Sequence, residues 1–255
     1  MTKAIFITGS GSGIGAATSR LFVRNGWRVG ASDVDAAALR SLQAELGSEM
    51  LSTYLADVRD FDALQAAMRS FTDSTGGRLD AAFANAGVLF MGPDEQITLE
   101  QKALQVDVNV KGVIHTVVAA FPYLKATPGS HLVAMSSTSA EYGSPQHAVY
   151  SATKFFVRGY VEALNIEYAA HGIQVSAIYV AYVRTPMVLD AQVKAASIER
   201  LGVKVTAEQV AQYVWRAAHG RRSHWRVGFD ARAINLASRI FGSALAPIYR
   251  RLMKA

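Results

Sequence analysis

Ile5-Phe6-Ile7-Thr8-Gly9-Ser10-Gly11-Ser12-Gly13-Ile14-Gly15 is the stretch whose reading decides the fold. An unbroken apolar run leads into it, as in a strand buried on both faces, and a helical pattern from Ala16 to Arg24 leads out. Glycine lets the backbone turn sharply and approach another molecule closely. A helix that starts directly after such a turn offers free N–H groups and the positive end of its dipole to a phosphate. The spacing is T-G-x3-G-I-G. It is not G-x-G-x-x-G, because Ile14 stands where the third glycine of that pattern belongs. A buried strand, a glycine turn and a helix in this order predict a pyrophosphate cradle.

Outward from this turn, short β-branched runs alternate with longer helical patterns. The predicted strands are Ala4–Thr8, Arg28–Asp33, Leu51–Asp57, Ala81–Ala86, Ser130–Ser136, Ile173–Val180 and Trp225–Phe229. Between them, apolar residues recur at helical steps, as in Ala63-Leu64-Ala67-Met68-Phe71. This alternation predicts an α/β domain, a doubly wound parallel sheet of about seven strands with helices on both faces. No linker or repeat divides residues 1–230. Residues 231–255 read as a basic amphipathic helix, with Ile234, Ala237, Phe241, Leu245, Ile248 and Leu252 on one face and a kink or break at Pro247.

The chain has 255 residues, no cysteine and a formal charge of +6. Disulfides and thiolate chemistry are therefore excluded. No apolar run approaches the ~18 residues of a membrane span, and the amino terminus does not read as a secretory signal, so a cytoplasmic protein is expected. The charge is uneven: the last 40 residues hold nine Lys/Arg against Asp230 alone. The rest of the chain is slightly acidic, so the net charge does not predict nucleic-acid binding. The histidines lack the spacing of metal ligands, and no metal site is expected.

With the glycine turn come further motifs in order: Asp57, Asn85-Ala86-Gly87, Asn109, Ser137 and Tyr150-Ser-Ala-Thr-Lys154. Jointly they resemble the short-chain dehydrogenase/reductase family over nearly the whole chain, which implies a Rossmann-type fold and an NAD(P)-dependent oxidoreductase acting on CH–OH groups. The resemblance assigns cofactor binding to Gly9, Ser12, Gly13, Ile14, Gly15, Asp33, Asp57, Val58, Asn85, Ala86, Gly87, Val183 and Thr185, and to Tyr150 and Lys154. It assigns proton exchange with the substrate to Tyr150, ribose binding to Lys154, a hydrogen bond to the reacting oxygen to Ser137, and a proton-relay water to Asn109. A homo-tetramer or homo-dimer built on the helices around Asn109 and Tyr150 is also implied, and Ala152, Phe156, Gly159 and Ala163 suit close helix packing.

Physical chemistry sharpens these assignments. A carboxylate at Asp33 can accept hydrogen bonds from ribose hydroxyls and repels a 2′-phosphate, so NAD is expected over NADP. Asp33 could instead cap the helix beginning near Ala36, a role open to Asp35 as well. Tyr150 and Lys154, four apart on a helix, share a face. An ammonium there and the positive nicotinamide ring that the resemblance implies both favour the phenolate of a group that ordinarily titrates near ~10. The expected pocket wall is Leu89, Phe90, Met91, Ala140, Glu141, Tyr142, Tyr182, Met187, Val188 and Leu189, with Arg184 as the one nearby cation, so the expected substrate is an uncharged apolar secondary alcohol or ketone. One departure from the family pattern is Val180-Ala181 where Pro-Gly is usual. It leaves open a dinucleotide-binding regulatory or weakly catalytic protein. The basic tail leaves open a membrane-surface-associated reductase, or a helix packed over the cleft or a neighbouring subunit.

Overall fold

A computed structural model describes residues 2–191, 193 and 195–247. Seven strands form one parallel sheet: β1 (Ala4–Thr8), β2 (Arg28–Asp33), β3 (Leu51–Leu55), β4 (Ala81–Ala84), β5 (His131–Met135), β6 (Gln174–Tyr179) and, after a two-residue pair described below, β9 (His224–Arg226), in the order β3-β2-β1-β4-β5-β6-β9. The order reverses between β1 and β4, and ligands of open parallel sheets bind at such a switch point.

The helices cover both faces, which is why β1 and β4 are buried along their whole length and carry no polar alternation. On one face α1 (Gly13–Arg24), α2 (Ala36–Leu46) and α9 (Ala207–Ala217) close a core around Ile5, Ile7, Val29 and Phe83. Edge contacts among Phe22, Trp27 and Trp215, at 4.9–5.8 Å between ring centroids, lock α1 to α9. On the other face α3 (Phe61–Ser74), α4 (Leu99–Val106), α5 (Gly112–Ala126) and α6 (Ala148–Glu167) close a second core around Phe6, Phe71, Val157 and Tyr179.

Strands three, four, five and six are shorter than their apolar runs predict. Each releases its chain from the sheet before Asp57, Asn85, Ser136 and Val180 respectively, and the freed residues build the site. The last strand also differs. It is His224–Arg226, and Phe229 belongs instead to the helix that follows. Two parallel two-residue strands, β7 (Val183–Arg184) and β8 (Val205–Thr206), pair outside the main sheet and are too short for periodicity to reveal. They bracket an excursion that holds α7 (Pro186–Leu189) and α8 (Ala196–Leu201).

The last helix, α10 (Gly228–Phe241), ends at Gly242, whose φ of 48° stops it before Pro247 is reached. The predicted continuation through Ile248 and Leu252 lies outside the described residues. Among the described residues no helix is long and apolar enough to cross a membrane.

Glu141 ties this architecture together beside the site. Its side chain is almost fully buried, receives Arg158 of α6 at 2.7 Å, and receives the Arg226 Nε and Nη2 of β9 at 2.8 and 2.7 Å. Removing one member of a buried ion cluster leaves uncompensated charge, which costs ~3–5 kcal/mol. Glu141→Ala, leaving two guanidinium groups facing each other, should lower the urea-unfolding free energy by that amount.

Candidate active site

The glycine turn is held by packing that admits no side chain. A Cβ on Gly15 would lie 1.9 Å from the Gly9 carbonyl oxygen, and Gly9 itself has φ 67°. Asn85 fastens the turn to the end of β4. Its Nδ2 donates to the carbonyl oxygens of Thr8 and Gly9, both at 3.0 Å, while the Thr8 hydroxyl accepts from the Asn85 and Ala86 N–H groups at 3.1 and 3.2 Å. Asn85 thus does more than shape the bend before Gly87.

At the end of β2 the Asp33 carboxylate accepts from the Gly11 N–H at 2.8 Å and from the Asp35 N–H at 3.0 Å. Asp35, not Asp33, caps α2, accepting from Ala37 and Ala38. That leaves Asp33 beside the glycine turn with carboxylate lone pairs still available. Asp57 stands two residues beyond β3 and pairs with Arg59, whose hydrogen bond holds the Asp57 carboxyl below the usual carboxylate range.

Asn109 does not sit in a regular helix. A π-helical turn, Asp107–Lys111, joins α4 to α5, and such turns recur at functional sites. The fully buried Asn109 amide clamps Val88, accepting from its N–H at 2.8 Å and donating to its carbonyl at 2.9 Å, and reaches Thr153 at 3.3 Å. It therefore couples the chain just beyond Asn85-Ala86-Gly87 to the residue preceding Lys154.

Ser137 follows β5 and caps a short 3-10 turn, Thr138–Ala140, through the Ser139 N–H at 3.1 Å. Its side chain lies beside that of Tyr150 on the same cavity wall, close enough to favour the phenolate. Lys154 is buried, donates to the Met135 carbonyl at 2.9 Å and lies 5.5 Å from the centre of the Tyr150 ring. Burial dominates the titration of both groups. It pushes the Tyr150 phenol up to about 12, against the opposing influence of Ser137, and pushes the Lys154 ammonium down to about 8. In the protein alone, then, desolvation sets the phenol; the expected lowering needs the positive nicotinamide ring as well as the ammonium, and so concerns the bound state.

All the site residues expected from the sequence except Asn109 and Gly15 line one cavity of about 840 Å³, within the size range of small-molecule sites. One end is walled by the glycine turn, Asp33, Asp57 and Val58, the middle by Asn85, Ala86, Gly87, Val183 and Thr185, and the other end by Ser137 and Tyr150. Of the expected substrate wall, Leu89, Tyr182, Met187 and Val188 line it, whereas Phe90, Met91, Ala140, Glu141, Tyr142 and Leu189 do not. Met91 packs with Val188, Ala195 and Ile198 in a small core of its own, and Glu141 turns away to its two arginines. Arg184 is exposed and also stands off the wall. Ala181 has no positive φ, so the backbone there makes no demand for glycine.

The cavity also contains residues that sequence reasoning passed over. His147, three residues before Tyr150, is buried with its ring 6.3 Å from the tyrosine ring. Its Nδ1 donates to the Pro145 carbonyl at 3.0 Å, which leaves Nε2 as an acceptor 3.4 Å from the Tyr182 hydroxyl, and Tyr182 in turn contacts Ser197 at 2.6 Å. The one sequence signal was its place a helical turn ahead of Tyr150. Ile234 of α10 and Leu245 also reach the cavity, so the last helix packs over the cleft.

A family model described as short chain dehydrogenase matches residues 3–195. The chain belongs to the short-chain dehydrogenase family. Among its relatives, oxidoreductase UcpA of Salmonella typhimurium (strain LT2) is 35% identical over 188 residues, covering 72% of this chain and 71% of UcpA. Cyclohexanol dehydrogenase of Acinetobacter sp. (strain SE19) is 32% identical over 220 residues, covering 83% and 86% of the two chains. Among solved structures, the 3-ketoacyl-(acyl-carrier-protein) reductase of Brucella melitensis, complexed with NADH, superposes with a TM-score of 0.80 at 26% identity, covering 88% of this chain and 96% of that one. This short-chain dehydrogenase is an oxidoreductase with a seven-stranded Rossmann-type sheet.

Lys154 carries a stability cost that a substitution can expose. Between its folded value of about 8 and its ordinary 10.5, the unfolded chain binds a proton that the folded chain does not, so this group makes stability rise with pH across that window. Lys154→Met removes the buried cation at the expense of one hydrogen bond. Its melting temperature at pH 7 should exceed that of the parent by ~5 °C, and the gain should shrink as pH approaches 10.5. Thermal melts across pH check the sign.

Proposed function

We propose that this chain interconverts an uncharged, largely apolar secondary alcohol and its ketone with NAD as cofactor. The observation that carries the reading is the meeting of the Ser137 and Tyr150 side chains on the wall of a cavity whose far end is the glycine turn. The residues suit a dinucleotide: the turn admits no side chain, α1 opens directly beyond it, and the Asp33 carboxylate stands where ribose hydroxyls can donate. NAD, when bound, supplies or accepts the hydride.

The chain's own residues handle orientation and the proton. Ser137 donates to the reacting oxygen, and Tyr150 Oη exchanges that oxygen's proton. Lys154 orients the nicotinamide ribose and stands behind the phenol, and Asn109, through its π-helical turn, holds the relay that returns the proton to solvent. On the substrate side Leu89, Val188 and Met187 exclude water, and among the described residues no cation stands there to clamp a carboxylate or phosphate. An alicyclic or aromatic alcohol suits this wall, and the likeness to a cyclohexanol dehydrogenase supports it.

The chain assembles as a homo-dimer or homo-tetramer through α6. Ala152, Phe155, Gly159, Ala163 and Ile166 share one face of that helix, Phe155 and Ile166 are 42% and 78% exposed, and a Cβ on Gly159 would meet nothing within 4 Å. Phe156, expected on this face, packs instead against the core. Phe155→Glu combined with Ile166→Glu should lower the native mass measured by light scattering.

Turnover of alicyclic and aromatic secondary alcohols should exceed that of small charged hydroxy acids when followed by nicotinamide absorbance. Faster turnover of the acids, or a large preference for NADP, would overturn the substrate or cofactor reading. Tyr150→Phe should lose at least ~10²-fold in kcat with NADH affinity nearly unchanged. Because only the phenolate can accept the alcohol's proton and the phenol is held high, oxidation should accelerate with pH between about 7 and 10, while ketone reduction should not. Asp33→Ala should weaken NAD binding by ~10-fold or more and narrow its advantage over NADP.

A further inference from the structure

We propose that the outward face of α10 docks on an anionic lipid surface. Phe229, Ala233, Leu236 and Ile240 recur at steps of four, three and four, which places them in one stripe along the helix. Phe229 is 82% exposed, Ile240 64% and Leu236 59%. The opposite side of the same helix already serves the fold, with Ala231 fully buried and Ile234 on the cavity wall. The helix is thus apolar on both sides, and packing among the described residues explains only the inner one.

Charge identifies the occupant. Arg232 and Arg239 are exposed beside the stripe, and Arg216, Arg221 and Arg222 are exposed on the chain leading into α10. The one acid of the last 40 residues, Asp230, faces Lys204 at 3.8 Å. A second copy meeting this patch across a two-fold axis would set arginines against arginines, with Asp230, already facing Lys204, as the one acid of this stretch to offset them. An anionic bilayer supplies both halves of the complement, acyl chains for the stripe and headgroup phosphates for the guanidinium groups. The stripe lies on a different helix from the exposed face of α6, so docking and assembly through α6 use separate surfaces.

The test is co-sedimentation of the full-length protein with phosphatidylcholine vesicles, with and without phosphatidylglycerol. Binding should be about tenfold or more tighter to the anionic vesicles and should weaken with salt. Leu236→Glu with Ile240→Glu should lose about tenfold or more of that binding, with the melting temperature and native mass unchanged. Arg232→Gln with Arg239→Gln, which leaves the stripe intact, should lose the preference for anionic lipid. The proposal fails if the parent does not bind vesicles, if the glutamate variant binds as well as the parent, or if that variant lowers the native mass, which would make the stripe a contact between copies. None of these readouts uses turnover, so the outcome is independent of the alcohol–ketone reading.

Discussion

The structure depends on how one parallel sheet ends at its switch point. β1 and β4 part there, and their last carbonyl and N–H groups lose sheet partners in a buried place. Asn85 and Thr8 satisfy them from their side chains, and in doing so bring the glycine turn against the end of β4. The close approach of Gly15 to the Gly9 carbonyl follows from that seam. Asn109 extends the same device by one layer, holding Val88 and Thr153 together and so setting Lys154 relative to the bend.

Much of this was legible in the sequence because it rests on periodicity and on glycine. All seven main strands follow from apolar runs, and the pairing of Tyr150 with Lys154 follows from a four-residue step. What escaped has physical causes. The ends of the strands were overestimated because residues such as Asn85 and Ser136 look no different in sequence whether they leave the sheet or extend it. The π-helical turn at Asn109 has no residue signature. The burial that pushes the Tyr150 phenol up and the Lys154 ammonium down in the protein alone has no mark in the sequence, which shows only a cation four residues from the phenol. His147 was passed over because its place on the cavity wall and the bond of its ring to the Pro145 carbonyl are tertiary details.

The site combines two dielectric regimes. At the glycine end, charge is plentiful and paired, with Asp57 on Arg59 and Asp33 on backbone N–H groups. At the Tyr150 end, the fold accepts a desolvated phenol and a desolvated ammonium, groups that stability alone would replace with hydrocarbon. Glu141 and its two arginines reinforce the turn that carries Ser137 from behind. Rigidity there compensates for the unfavourable burial in front.

The small β7–β8 pair has a consequence for how such a chain can diversify. It clips together the two stems of the excursion from Pro186 to Lys204, so β6 and α9 are insulated from whatever lies between them. Replacement of that whole segment by a longer or differently shaped one would leave the sheet undisturbed while changing what the cleft accepts, making the excursion an exchangeable cassette.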